Sequence, residues 1–410
     1  MIVLSGAALV LPDRVLSPGT LVIDDGRIAE IRSDALSAGH ADSPFAFHGH
    51  YIVPGFIDVH VHGVAGIDTL DARDDAVAAI AERLPRYGVT GFCPTTVACA
   101  PDALRRVLDG VRRARETRSP RAARVLPAHL ESNFINPEYS GAQPVACLRS
   151  PRAALARSAK ASAERDDFDA ADILAEIERA APDVGIVTIA PELDGGLDLV
   201  GWLTSRGHRA SLGHSGATYE QALDAIAAGA RQATHLFNRM PPLGHRAPGL
   251  AGAVLQSDEV AAEIICDGHH VHPALVRTAI AAKRASRVLA ITDATAAAGL
   301  PVGSRAALGG RPITAGEATA VLADGTIAGS VLTMDRAFQM LVNRVGVSLL
   351  DAATVCATTP ARELGLVGYG VIAPDAAADL VVLDARLTVV QTYVAGQLVY
   401  ARNTPSSASV

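Results

Sequence analysis

The sequence is poor in aromatic and charged residues and rich in apolar ones, and this composition excludes several classes of protein. Aromatic residues make up 4% and charged residues 19% of the 410 positions, whereas hydrophobic residues make up 49%. A chain this apolar can fill a large core, which excludes a disordered or fibrous protein. The net charge of −7 and the lack of a basic run beyond pairs such as Arg112-Arg113 argue against nucleic acid as a partner.

Cysteine and long apolar runs are also scarce. The five cysteines are scattered and none forms a Cys-x-x-Cys pair, which is typical of reduced thiols in a cytoplasmic protein. No stretch approaches about 18 uninterrupted apolar residues, and the apolar N-terminus has no charged region before it. We therefore expect a cytoplasmic protein without a signal peptide or a membrane span.

Both ends of the chain have the pattern of short strands joined by hairpins. Residues 2–35 turn at Asp25-Gly26, and residues 378–401 repeat the pattern around Ala395-Gly396. The ends predict one small composite β domain, residues 1–50 and 364–410, beside a central α/β domain of residues 51–363.

Strand-like and helical stretches alternate through the central domain. The continuously apolar runs typical of buried parallel strands are residues 51–62, 89–96, 124–131, 185–192, 209–215, 232–238, 261–270 and 287–294. Eight such strands with helices between them predict a (β/α)8 barrel of the TIM type. The alternative, a doubly wound sheet, would need a Gly-x-Gly-x-x-Gly loop, which the sequence lacks. Segment 131–170 is too long for an ordinary loop and predicts a lid or substrate loop.

Imidazoles and carboxylates recur at the carboxyl ends of these strands, where barrels have their active sites. In chain order they are His60, His62, Glu131, His214, His235, His270 and Asp293. A lone histidine in a strand is more often a hydrogen-bonded core residue. A random scatter of core histidines would not, however, lie at the same end of different strands, so the set predicts a metal site.

The residue types indicate the chemistry. Imidazole and carboxylate without a thiolate suit catalytic Zn²⁺ or Fe²⁺, which activates water for hydrolysis. Asp293 would accept a proton from the attacking water and later deliver it to a leaving amine. The alternative for Asp293 is a helix N-cap, since a polar stretch follows it.

Longer motifs run along nearly the whole chain. They are PGFIDVHVHG (54–63), HLE (129–131), TIAPE (188–192), GHSGAT (213–218), THLFNRMPPLGHRAPGLAGA (234–253), ICDGHHVH (265–272), TDAT (292–295) and GSVLTM (329–334). Together they resemble the amidohydrolase superfamily and, within it, the N-acetylglucosamine-6-phosphate deacetylase family.

The resemblance implies roles for these residues. Glu131, His214 and His235 would hold one divalent ion, zinc or iron. His60 and His62 would hold a second, because family members with His-x-His bind two ions and others one, and Asp293 is expected among the metal ligands. His270 would contact the sugar, and Asn238 and Arg246 would lie near its phosphate, although Arg246 could also be an ordinary surface arginine. A homodimer is expected as well.

The sequence departs from the family pattern in three places, all expected around the substrate. Ser132-Asn133 replaces the usual Gly-Pro, Gln143 replaces a histidine that can reach the substrate carbonyl, and Arg239 replaces alanine. Gln143 would still donate a hydrogen bond to substrate, and Arg239 would favour an anionic one.

The implied reaction is metal-dependent hydrolysis of the acetamide of N-acetyl-D-glucosamine 6-phosphate, giving glucosamine 6-phosphate and acetate. The partner is then a small amino-sugar phosphate, not nucleic acid or a membrane. The galactosamine epimer, another amide of the same superfamily, and a non-catalytic relative stay open. A relative without activity usually lacks a metal ligand or the acid–base aspartate, and all of these are present here.

Overall fold

The computed structural model describes residues 1–33, 46–156 and 168–402. In chain order, the strands in these ranges are β1 Ile2–Val10, β2 Val15–Asp24, β3 Arg27–Arg32, β4 Tyr51–Pro54, β5 Phe56–Val61, β6 Gly63–Val64, β7 Ile67–Asp68, β8 Val89–Thr96, β9 Arg124–Val125, β10 Ala128–Glu131, β11 Val184–Ile189, β12 Arg209–Leu212, β13 Gln232–Ala233, β14 Ala261–Ile265, β15 Val288–Ile291, β16 Arg305–Leu308, β17 Arg311–Ala315, β18 Thr319–Val321, β19 Ile327–Ser330, β20 Leu380–Leu383, β21 Val389–Val394 and β22 Gln397–Ala401.

The helices lie mostly between the strands of the central domain. The α-helices are α1 Ala76–Arg83, α2 Pro101–Glu116, α3 Pro151–Leu155, α4 Ala170–Arg179, α5 Gly196–Ser205, α6 Tyr219–Ala227, α7 Gly249–Gln256, α8 Pro273–Lys283, α9 Met334–Met340, α10 Leu349–Ala353 and α11 Thr359–Glu363. Short 3₁₀ helices span Leu84–Tyr87, Pro137–Tyr139, Val145–Cys147, Ala181–Asp183 and Ala285–Arg287, and π-helical turns span Leu341–Val345 and Thr354–Thr358.

Eight parallel strands form the barrel, which confirms the predicted fold class. Their order is β5, β8, β10, β11, β12, β13, β14 and β15. The barrel closes from β15 back to β5, because Asp293 N donates to His60 O at 2.9 Å and Val61 bridges Ala294 in parallel. Nearly every residue of these strands is buried, as parallel strands covered by helices require.

Two of the predicted barrel strands are each divided. The expectation that residues 51–62 form one barrel strand is wrong, because β4 pairs with β1 and β20 in another sheet and only β5 enters the barrel. Residues 124–131 likewise divide into β9 and β10 around Leu126-Pro127. Proline lacks the N–H that a central ladder needs, so it marks such breaks.

Both ends of the chain share one sheet, which confirms the composite β unit. Its strand order is β22, β21, β20, β4, β1, β2 and β3. Side chains from both ends, including Leu4, Leu21, Leu380 and Tyr393, form its apolar core. The domain limits predicted above remain a prediction, and residues 34–45 and 403–410 lie outside the described ranges.

A small antiparallel sheet of β16 to β19, which we call the flap sheet, was not predicted. It has its own apolar core, which includes Leu308, Ile313 and Leu322. It meets the barrel at Gly329, whose φ is +67° and whose added Cβ would lie 2.7 Å from Asp293 O. Only glycine tolerates this backbone and this approach. The flap sheet therefore borders the barrel rim beside Asp293.

Helix α2 illustrates how the helices cover the barrel. Its buried Leu104, Val107, Leu108 and Val111 follow the three- and four-residue spacing of one helix face, and Pro101 occupies a favourable first position. Within the described ranges, no helix combines the length and apolar character that crossing a bilayer requires.

Candidate active site

Three of the predicted site residues lie just beyond the ends of barrel strands in a left-handed backbone conformation. His214 follows β12, His235 follows β13 and Asp293 follows β15, with φ of 47°, 30° and 49°. Non-glycine residues rarely adopt positive φ, and such strained positions concentrate at functional sites. No helix begins at Asp293, so the alternative of a helix N-cap is wrong.

Glu131, His214 and His235 form the first group of potential ligands. Glu131 Oε1 lies 2.9 Å from Nε2 of His214 and 2.9 Å from Nε2 of His235. The two Nε2 atoms are 3.0 Å apart. The three ligand atoms are thus close enough together to bind one ion.

His60, His62 and Asp293 form the second group. Asp293 Oδ1 lies 3.3 Å from His60 Nε2 and 3.1 Å from His62 Nε2, and the two nitrogens are 3.2 Å apart. Glu131 lies between the groups, with Oε2 3.5 Å from His62 Nε2. Two adjacent ion positions are therefore available.

Outer contacts orient the imidazoles. His214 Nδ1 donates to Tyr139 O at 2.8 Å, and His60 Nδ1 donates to Glu263 Oε2 at 3.0 Å. Because a carbonyl only accepts, Nδ1 of His214 carries the donated proton, and its Nε2 faces Glu131 and His235. An ion placed beside these atoms would be held by the Nε2 atoms of both rings and by an oxygen of Glu131. This arrangement fits a bound metal ion.

Burial and charge act in opposite directions on the two inner carboxylates. Burial favours neutral Glu131, but the neighbouring histidines, His214 foremost, together outweigh burial, and the pKa of Glu131 lies well below its usual value. Burial also favours neutral Asp293, yet His60 and His62 lower the pKa of Asp293 to about 2. Both side chains are therefore anionic.

Within the described ranges, histidines are the only basic side chains at ion-pair distance from these carboxylates. Among the described residues, the ion-pair partners of Glu131, Glu263 and Asp293 are all histidines. Burial disfavours a cationic His60, but Asp293 and Glu263 overcome it and raise the pKa of His60 to about 10. A divalent cation would supply the same charge, so the donor set and its electrostatics both fit a metal.

Sequence reasoning missed Glu263 and assigned no role to His129. Glu263 is fully buried and also accepts hydrogen bonds from Gln232 Nε2 and His235 N. The signal was available, because an acid inside the apolar run AAEIIC needs a partner. His129 bonds Val59 O through Nδ1 and Thr188 Oγ1 through Nε2, so neither nitrogen is free. Burial lowers the pKa of His129 to about 4.

One cavity of about 470 Å³ opens over both groups of ligands, a size typical of small-molecule sites. The predicted site residues in its wall are His62, Glu131, Gln143, His214, His235, Asn238, Arg239, His270 and Asp293. The flap sheet adds Leu308, Ile327 and Gly329. The segment predicted to be a lid contributes Tyr139 and Ala142, and its residues 157–167 lie outside the described ranges.

The predicted substrate residues differ in where they lie. His270 Nδ1 is 2.6 Å from Asp267 Oδ2, which leaves Nε2 available to the cavity. Asn238 donates to His235 O at 3.2 Å and so braces the strand end. Arg239 lines the cavity, and no described side chain forms an ion pair with it. Arg246, in contrast, is exposed and outside the cavity wall.

Comparison with known proteins identifies the family. A model of the amidohydrolase family matches residues 206–399. The N-acetylglucosamine-6-phosphate deacetylase of Homo sapiens is 37% identical over 398 residues, which covers 94% of this chain and 90% of that protein. The chain belongs to the N-acetylglucosamine-6-phosphate deacetylase family.

Two further relatives are similar along their whole length. The N-acetylgalactosamine-6-phosphate deacetylase of Escherichia coli O157:H7 is 33% identical, covering 97% of this chain and 98% of its own. The second is a solved structure of a mutant N-acetyl-D-glucosamine-6-phosphate deacetylase from Mycobacterium smegmatis, in complex with N-acetyl-D-glucosamine-6-phosphate. It has a TM-score of 0.85 and 32% sequence identity to this chain, and the match covers 97% of this chain and 99% of that one. Amidohydrolase membership implies a divalent metal, which the two histidine–carboxylate groups are suited to hold.

Proposed function

We propose that this chain hydrolyses the acetamide of N-acetyl-D-glucosamine 6-phosphate to glucosamine 6-phosphate and acetate. The observation that carries the proposal is the single cavity in which Glu131, His214, His235 and Asp293 converge at the carboxyl end of the barrel. The family membership supports the substrate class.

The protein side chains divide the chemistry between them. A bound divalent ion supplies a Lewis acid for the amide carbonyl and for water. Asp293 accepts the proton of the attacking water and returns it to the departing nitrogen, which leaves poorly unless protonated. His270, held through Nδ1 by Asp267, directs Nε2 toward the acetamide or the sugar.

Arg239 and Arg246 are the cations that we assign to the phosphate. Arg239 lines the cavity without an ion-pair partner among the described residues, which supports an anionic substrate. Arg246 lies on the exposed loop that follows Met240, and its assignment rests on the family motif. Asn238 completes the predicted substrate set, and Gln143, also predicted to be part of it, lines the same cavity.

For the metal, we propose zinc or iron, with one or two ions per subunit. Glu131, His214 and His235 would hold the first ion, and His60, His62 and Asp293 the second. Combining His60→Gln with His62→Asn should reduce the metal content to one ion per chain and leave part of the activity, as measured by elemental analysis and acetate release. Loss of both ions would show that the ligands are wrongly divided between the positions.

The galactosamine epimer is the second candidate substrate, favoured by the similarity to the Escherichia coli O157:H7 relative. Acetate release should be compared for both N-acetylated 6-phosphates and for N-acetylglucosamine without phosphate. We expect the highest kcat/KM with N-acetylglucosamine 6-phosphate. Equal activity with and without the phosphate would refute the proposed substrate class.

We further propose a cytoplasmic homodimer. Five scattered cysteines without a Cys-x-x-Cys pair suit a reducing compartment, and the dimer rests on the family resemblance. Light scattering after size-exclusion chromatography should give twice the mass of one chain, 42.3 kDa. A mass of one chain at micromolar concentration would contradict the dimer.

A further inference from the structure

The side-chain amide of Gln143 is buried and held at both ends. Its Oε1 accepts from Ala98 N at 2.8 Å, and its Nε2 donates to Glu131 Oε2. The direction of the amide follows from chemistry, because a main-chain N–H can only donate and must face the oxygen. The N–H side of Gln143 therefore points at the carboxylate.

The two oxygens of Glu131 face different groups of histidines. Oε1 lies 2.9 Å from Nε2 of both His214 and His235. Oε2 lies 3.5 Å from His62 Nε2. The last torsion of a glutamate side chain has a broad, weak preference, so an outside contact must set the rotation of the carboxylate. At Oε1 that contact comes from the two histidines, and at Oε2 it comes from Gln143.

We propose that Gln143 is a positioning residue. It holds the Glu131 carboxylate in the orientation that binds an ion at His214 and His235. Its N–H turns Oε1 toward those two histidines and takes up one lone pair of Oε2. Oε2 is then a weaker ligand for an ion beside His62, so the position at His60, His62 and Asp293 fills second. This inference rests on the proposed function, because it takes Glu131 to be a metal ligand.

The test compares Gln143→Met with Asn133→Leu in the full chain. Methionine keeps the length of Gln143 and removes its hydrogen bonds. Asn133 is a matched control, because it is a buried amide of the same segment that donates to Cys99 O at 2.8 Å and Cys147 O at 2.7 Å. It forms no hydrogen bond to Glu131.

Metal-free proteins are titrated with Zn²⁺ against a chromogenic chelator, and their Co²⁺ absorption spectra are recorded. Outer contacts to metal ligands are worth about 10- to 100-fold in affinity. Gln143→Met should lose that much affinity for the first ion and shift the Co²⁺ bands, and Asn133→Leu should do neither. Unchanged affinity with a raised KM in Gln143→Met would make Gln143 a substrate contact and overturn the proposal.

A second variant covers the case in which Gln143→Met does not fold. Gln143→Glu keeps an acceptor for Ala98 N and places a carboxylate beside Glu131. We expect the two ions to bind with more similar affinities in this variant than in the wild type. Unchanged, stepwise binding would contradict the inference. If the wild-type chain binds no ion in the titration, the proposed function itself is refuted. This outcome differs from a failure of the inference about Gln143, in which the wild-type chain binds ions and the variants bind them in the same way.

Discussion

Replacing Asp293 by asparagine is the sharpest test of the site, because it removes one charge and little else. The side chain is 11% exposed, and Oδ1 lies 3.1 Å from His62 Nε2. Asparagine has nearly the same shape and tolerates a φ of 49° better than most residues do. The main-chain hydrogen bonds to His60 O and from Ser330 N do not involve the side chain. The fold should therefore persist.

The expected loss follows from what else lines the cavity. The carboxylates in its wall are Glu131, Glu138 and Asp293. Glu131 is already bonded to His214, His235 and Gln143, and Glu138 is exposed. No described carboxylate can therefore take over the proton transfer. A positioned acid–base group contributes roughly 10²–10⁴ in rate, so kcat should fall by that factor, which is about 3–5 kcal/mol of activation free energy.

The assay is acetate release from N-acetylglucosamine 6-phosphate, with kcat and KM determined separately and metal content measured on the same samples. KM should change far less than kcat. Glu138→Gln is the matched control, since it removes an exposed carboxylate from the same wall, and it should stay near wild-type activity. Near-normal turnover by Asp293→Asn with its metal retained would refute the acid–base role.

Four further variants test the rest of the site. His214→Ala combined with His235→Ala should abolish metal binding and turnover, and full metal retention by elemental analysis would contradict the ligand assignment. Arg239→Ala and Arg246→Ala should each raise KM for the phosphorylated sugar, by about tenfold or more for a direct charge-assisted contact, and leave kcat nearly unchanged. An equal rise for the unphosphorylated sugar would argue against a phosphate contact. Glu263→Gln should weaken metal binding by about 10- to 100-fold in a chelator titration, because its amide cannot replace the carboxylate that orients His60. Wild-type affinity in this variant would make Glu263 a purely structural residue.

The positions of these residues explain which parts of the site were predictable. His60 lies within β5 and Glu131 ends β10, so strand pattern and residue type together predicted where they would lie. His214 and Asp293 lie two residues beyond their strands, in left-handed turns that no apolar pattern marks. Their convergence was predicted because the carboxyl ends of parallel barrel strands meet at one rim.

Residue type and spacing are local properties, and they determined the eight strands, the composite sheet and the identities of the candidate ligands. Contacts between distant segments depend on register and on barrel closure, and only the tertiary structure decided them. It brought Glu263 to His60 across 203 positions, Gln143 to Glu131, and Gly329 of the flap sheet against Asp293. It also left Arg246 outside the cavity wall and excluded the helix cap at Asp293. The sequence specifies which donors and acceptors each side chain has, but the packing of the whole chain determines which partner the side chain faces.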